Sequence, residues 1–310
     1  MLFSDRTLNM RSFINMALTL NDELKKSRDE LCIDLSKVTF ADPSGIISIV
    51  IMTRSIYNQY NTKTRIILPE SFNVTKYLLN CGFTRDEDLI TTFEYSNQSL
   101  KIFLKYLNIN SYKNNRKNEN YIPITNIENG EKIDEIVDNV TLWMKHNNFL
   151  PDEIADLQVI IFELCQNVKY HSESKQPGLF FMQGYNPKIG GSKNKYCRIS
   201  IADTGIGILN SLLKNPDNKG LFYDECQAIR YALEKGATSI IEESNFRGNG
   251  LPGLLERTRK RRANLYVHSH GAVVSYLYND SFGLSNNKFM HFYEIDCVRG
   301  THISFELIGR

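Results

Sequence analysis

Glu163 and Asn167 stand four residues apart in the run from Ile154 to Val168. In a helix that spacing puts both side chains on one face, with Cβ atoms about 5–6 Å apart. Ile154, Leu157, Ile160, Ile161, Leu164 and Val168 recur at helical intervals and supply the opposite, apolar face. A carboxylate beside a carboxamide oxygen suits a magnesium–phosphate site. Asn ligates a hard cation without adding charge, and Glu accepts a proton from a water or hydroxyl nucleophile. Polar pairs at this spacing are also common on solvated helix faces, so the pair needs corroboration from the rest of the chain.

Three further groups supply it. Asp203-Thr204-Gly205-Ile206-Gly207 follows the apolar run CRISIA. An acidic residue at a strand end can accept a hydrogen bond from an exocyclic amine such as that of adenine. Glycines at alternate positions let backbone approach a flat ligand. The same residues also read as a turn that closes a strand. Gly248-Asn249-Gly250-Leu251-Pro252-Gly253 precedes the helix-forming LLERTRK. A glycine-rich entry to a helix presents unbonded amides and the positive dipole end, which is chemistry for polyphosphate. It is not a P-loop, because GxxxxGK[ST] is absent, and no strand leads into it as a dinucleotide fingerprint requires. Pro252 subtracts one N–H donor. Thr301, after Arg299-Gly300, opens the alternating run HISFEL, where its hydroxyl can hold a water against a base edge.

These groups need elements to position them. In the first half, Met10, Phe13, Ile14, Ala17, Leu18 and Leu24 predict a helix, Leu31–Leu35 a buried strand, and Ile46–Tyr60 a second helix. Arg65–Leu68 continues as a strand and Phe72–Leu79 as a helix. Strand–helix alternation predicts a small parallel sheet with covering helices. The stretch 108–125 is rich in Asn and Lys and reads as a polar linker. Beyond it, helices around Ile133–Met144 and Pro151–Val168 are expected. Strands are expected at Leu179–Tyr185, Tyr196–Asp203, Asn264–His270, Ala272–Tyr278, Phe289–Cys297 and Thr301–Leu307, with a hairpin connection over 186–195. The fold class is α/β, of the α+β kind, with helices on one face of a mostly antiparallel sheet.

Taken in order, the helix with Glu163 and Asn167, the DxGxG motif, the GxGxxG before a helix and the GT-strand resemble the GHKL ATP-binding family. That family includes gyrase, histidine-kinase and anti-sigma serine-kinase ATPase domains. The resemblance spans about residues 126–310 and implies a two-layer α/β sandwich of the Bergerat type that binds ATP and Mg²⁺. It implies that Asn167 ligates Mg²⁺ and that Glu163 positions or deprotonates the nucleophile. Asp203 would recognise the adenine amine, with Thr301 helping through water. Gly205 and Gly207 would shape the base pocket, and Gly248, Gly250 and Gly253 would let a lid over Ser211–Arg247 wrap the phosphates. In residues 1–107, IDLSKVTFADPSGIISIVIMTR resembles the core of STAS domains, the anti-anti-sigma family, in shortened form. The turn Asp42-Pro43-Ser44-Gly45 then makes Ser44 a candidate phosphoacceptor at a helix start. A Ser there also serves simply as an N-cap.

Composition narrows the classes. The chain has 310 residues, 37 Lys+Arg against 35 Asp+Glu and a net charge of +2, so no global pull towards nucleic acid or anionic membrane exists. No secretory leader and no membrane-length apolar run is visible. Six isolated cysteines in apolar surroundings read as reduced thiols and point to the cytoplasm. The basic cluster Arg257, Arg259, Lys260, Arg261 and Arg262 reads as a helix face rather than a nucleic-acid site. Two functions remain: a nucleotide-dependent regulatory switch acting on a protein partner or on the chain's own STAS-like part, and a serine protein kinase whose acceptor is Ser44 or a partner's Ser. A homodimer accords with the family. A sensor histidine kinase is disfavoured, because H-[ED]-x-x-x-P is absent and His146 lies in MKHNNF.

Overall fold

The computed structural model describes residues 2–3, 5–26, 31–85, 90–95, 101, 120–185, 196–235, 250–261, 263–279, 284–292, 295 and 297–308. The fold is mixed α/β and contains two principal sheets.

The smaller sheet is parallel. It is built from β1 (Leu2–Phe3), β3 (Leu31–Asp34), β5 (Thr64–Leu68) and β6 (Thr91–Tyr95), in that order. A short pair, β2 (Thr7–Leu8) and β4 (Phe40–Ala41), flanks it. The crossovers are α1 (Met10–Lys26), α2 (Pro43–Tyr60) and α3 (Phe72–Asn80). Parallel neighbours require such crossovers, and helices supply them.

The helix α2 starts three residues before the expected Ile46. Its N-cap is Asp42, whose Oδ1 accepts from the Gly45 amide at 3.0 Å, and Pro43 takes an early position where no N–H is needed. Ser44 therefore lies inside the first turn and is not the cap. Its hydroxyl donates to Asp42 Oδ1 at 2.5 Å and accepts from the Met10 amide at 3.1 Å, and the residue is only 2% exposed.

The larger sheet is antiparallel throughout its described ladder. Its strands are β7 (Tyr121–Ile127), β8 (Gly178–Tyr185), β9 (Tyr196–Ala202), β10 (Leu265–Ser269), β11 (Ala272–Asn279), β12 (Leu284–Phe292) and β13 (Thr301–Ile308). They run in the order β12-β11-β10-β13-β9-β8-β7. Residues 121–125, assigned to the linker from composition, belong to β7. Their pairing with β8 gives their backbone groups partners that a polar connector would lack. The expected strand Phe289–Cys297 is displaced to Leu284–Phe292. The rest of the linker, 108–119, and the hairpin, 186–195, fall outside the described residues.

One face of this sheet carries α4 (Gly130–His146), α5 (Pro151–His171), α7 (Glu225–Lys235) and α8 (Gly250–Arg261), which share one core with Phe180, Met182, Ile199, Ile201 and Phe305. A short helix, α6 (Gly207–Leu212), leads from β9 towards α7. The other face is covered too. Leu179, Phe181 and Ala202 join the core formed by α1, α2, β3 and β5. Strand β8 is apolar on both sides for that reason, with Phe180 and Met182 in one core and Leu179 and Phe181 in the other. The seam is also polar in places: Arg198 on β9 forms ion pairs with Asp42 and with Glu306 on β13.

Candidate functional site

Helix α5 forms the spine of the site. Its start is fixed by Glu153, which accepts from the Leu150 amide at 3.0 Å, and Pro151 opens the first turn. Helix α8 runs antiparallel along it. A Cβ on Gly250 would stand 3.0 Å from both Cβ and Oε2 of Glu163, and one on Gly253 would stand 3.9 Å from Ile160. Further along, Arg257 pairs with Asp156 and Arg261 with Glu153. Two members of the basic cluster thus bind α5, Lys260 pairs with Glu256, and Arg259 lies over the Tyr276 ring at 5.5 Å.

This pairing brings Glu163 against the first residue of α8. Asn167, one turn further along α5, is exposed and stands beyond that first turn. The opening turn of a helix leaves its amides without intrahelical partners. In the described part of α8 these belong to Gly250 and Leu251, since Pro252 has none and Gly253 stands fourth, where the first intrahelical bond is made. A carboxylate and the described start of α8 therefore share one corner, with Asn167 one turn along α5. Gly248 and residues 236–247 of the expected lid lie outside the described residues, while 211–235 of it includes α7.

The second corner lies past the far end of α5. Asp203 follows β9 and is 4% exposed. Its Oδ1 accepts from the Gly205 amide at 2.8 Å and from the Thr301 amide at 3.3 Å, and its own amide donates to the Thr301 carbonyl at 2.8 Å. Burial raises its pKa to about 6, against the pull of those two amides. Thr301 thus meets Asp203 through backbone.

Gly205 and Gly207 have protein neighbours where a ligand was expected. A Cβ on Gly205 would overlap the Ser172 carbonyl, which accepts from the Ile206 amide at 2.8 Å. Gly207 adopts φ +76, and a Cβ there would overlap the His270 ring. These two glycines pack the DTGIG loop onto the end of α5 and onto the β10–β11 turn.

The two corners are joined by the last turns of α5. From Glu163 to Ser172 the rise is roughly 14 Å at about 1.5 Å per residue, comparable with an extended nucleoside triphosphate.

Sequence reading did not find Glu225. Its Oε1 accepts from the amides of Ile208 and Leu209 at 3.0 and 3.1 Å, and Ser269 donates its hydroxyl to the same carboxylate. The start of α6 is therefore filled by the protein's own anion. An acid at the head of α7, with no partner nearby in sequence, gave no signal.

All six cysteines are buried free thiols, and no described helix is long and apolar enough to cross a membrane. No family model and no curated protein matches the chain. Among solved structures, one described as the crystal structure of the SiaB-SiaC complex from Pseudomonas aeruginosa matches at 13% identity and a TM-score of 0.32, covering 69% of this chain and 99% of that one. No functional conclusion follows from a likeness of that degree.

Proposed function

We propose that the chain is a regulatory protein that binds ATP with Mg²⁺ and uses it as a switch acting on a protein partner or on its own STAS-like layer. The observation that carries this reading is the pair of corners at the two ends of the last turns of α5. At one end, Asp203 holds a buried carboxylate fixed by two amides, suited to an exocyclic amine. At the other, Glu163 adjoins the described start of α8 and Asn167 follows one turn along α5, a pairing suited to phosphate and a hard cation.

Asn167 would ligate the cation. The amides of Gly250 and Leu251 would hold phosphate oxygens, and Glu163 would take the proton from the attacking water. When bound, Mg²⁺ supplies charge neutralisation along the triphosphate. A switch requires that nucleotide bind two states with unequal affinity.

The placement of Glu163 also serves a second reading, a serine protein kinase. The burial of Ser44 and its two hydrogen bonds tell against Ser44 as the acceptor in this arrangement, so the acceptor would be a partner's Ser. Incubation with γ-labelled ATP separates the two: free phosphate supports the switch, and labelled protein supports the kinase. Asp203→Asn should weaken ATP binding by about tenfold or more, the scale of a hydrogen bond to a charged group. Glu163→Ala should spare binding and abolish turnover. Unchanged affinity in Asp203→Asn would refute the adenine assignment.

A further inference from the structure

Both edges of Asp203 are braced from the other side of the sheet. On one edge, Asp203 is followed by Thr204, whose hydroxyl lies 2.8 Å from Ser174 Oγ and donates to Gln176 Oε1 at 3.3 Å. Gln176 is held in turn by Asn58 of α2 through a reciprocal amide pair. Asn58 Nδ2 donates to Gln176 Oε1 at 2.7 Å, and Gln176 Nε2 donates to Asn58 Oδ1 at 3.1 Å. On the other edge, Thr301 donates its amide to the Asp203 carboxylate. Two residues earlier, Arg299 has both backbone groups bound by Ser55 of α2: its amide donates to Ser55 Oγ at 3.0 Å, and its carbonyl accepts from that hydroxyl at 3.1 Å.

Arg54 and Gln59 extend the same grip to the carbonyls of Pro177 and Cys297, at 2.8 and 3.2 Å. One face of α2 therefore fixes both chain segments that converge on Asp203. None of these α2 residues reaches the carboxylate itself, so they can act on it only through the segments they hold.

We propose that Ser55 and Asn58 are positioning residues for Asp203, so that docking of the N-terminal layer sets the affinity and the base selectivity of the nucleotide site. This rests on the nucleotide reading above. It also requires the reciprocal effect: whatever docking adds to nucleotide affinity, nucleotide adds to docking.

The test uses the full chain with Ser55→Ala and Asn58→Ala combined, and calorimetric titration of ATP, GTP and inorganic tripolyphosphate, each with Mg²⁺. The expected result is an ATP affinity lowered about tenfold, a smaller preference for ATP over GTP, and an unchanged affinity for tripolyphosphate, which engages only the α8 corner. A loss spread equally over all three ligands indicates general loosening and overturns the proposal. Restoring the hydroxyl as Ser55→Thr should recover part of the ATP affinity. If the double variant does not fold, Asn58→Ala alone, at a half-buried position, carries the test. In the wild type, ATP should slow hydrogen exchange along α2. ATP binding equal to wild type in a folded variant, or α2 exchange indifferent to ATP, overturns the positioning role and leaves the nucleotide site standing. A wild-type chain that takes up no ATP overturns both.

Discussion

His268 and His302 face each other across β10 and β13, and each is 1% exposed. The Phe13 ring meets His268 edge-on at 5.6 Å, and Ser48 Oγ lies 3.0 Å from His302 Nδ1. Burial, reinforced by the charge of His270, lowers the His268 pKa to about 4. Burial, reinforced by His268, lowers that of His302 to about 3. Unfolded histidine takes a proton near its ordinary value of 6.5, so the stability tied to these rings is fully present above that pH and is lost as pH falls towards 4 and 3. Asp203 works the other way. Its folded pKa of about 6 exceeds the ordinary carboxylate value of 3.8, so its contribution is present below that value and is lost as pH rises through 6. Between these limits the unfolded chain binds more protons through the histidines, and the folded chain binds one through Asp203. Asp203→Asn removes the opposing proton. Urea unfolding around pH 5 should then show a stability slope steeper than wild type by up to about 1.4 kcal/mol per pH unit, fading towards pH 4 and pH 6. An identical slope would contradict the buried titration of Asp203.

At the scale of elements, the seam between α2 and the large sheet holds its most concentrated charge at Arg198. Burial works against its charge, but Asp42 and Glu306 outweigh that and raise its pKa. Removing one member of a buried ionic cluster strands the others. Arg198→Ala leaves the carboxylates of Asp42 and Glu306 without their shared cation and should cost about 3 kcal/mol in equilibrium urea unfolding. A loss below about 1 kcal/mol would mean that water already screens the cluster.

Periodicity placed α1, α4 and α5, whose stripes have one apolar face each, and alternation with apolar runs placed β3, β5, β8, β9 and β13. Turn chemistry misplaced the start of α2, because Asp42 and Ser44 are both good caps and only geometry selects between them. The docking of α2 had a signal that local reading passed over. Nearly every residue from Pro43 to Ile56 is buried, Ser44, Ser48, Thr53 and Ser55 included. A helix apolar on all sides needs a partner on each side. The run IISIVIM implied a second contact surface without saying which.

Seen whole, the chain stacks outer helices, the large sheet, α2 and the small parallel sheet, with one core on each face of the large sheet. Four motifs far apart in sequence are brought to two ends of the last turns of one helix. Asp203, Gly205 and Thr301 meet at one end, and Glu163 and Gly250 meet at the other, with Asn167 beside them. Motif order alone located these residues. It gave no access to the backbone packing of Gly205 against Ser172 and Gly207 against His270, or to the bracing by Ser55 and Asn58, because each depends on contacts between segments remote in sequence, more than a hundred residues apart in the second case. The most direct measurement is isothermal titration of the full wild-type chain with ATP and Mg²⁺. Saturable one-site heat, with affinity weakened about tenfold or more in Asp203→Asn and binding lost when EDTA replaces Mg²⁺, is the predicted result. Properly folded protein that gives no binding heat would contradict the nucleotide site outright.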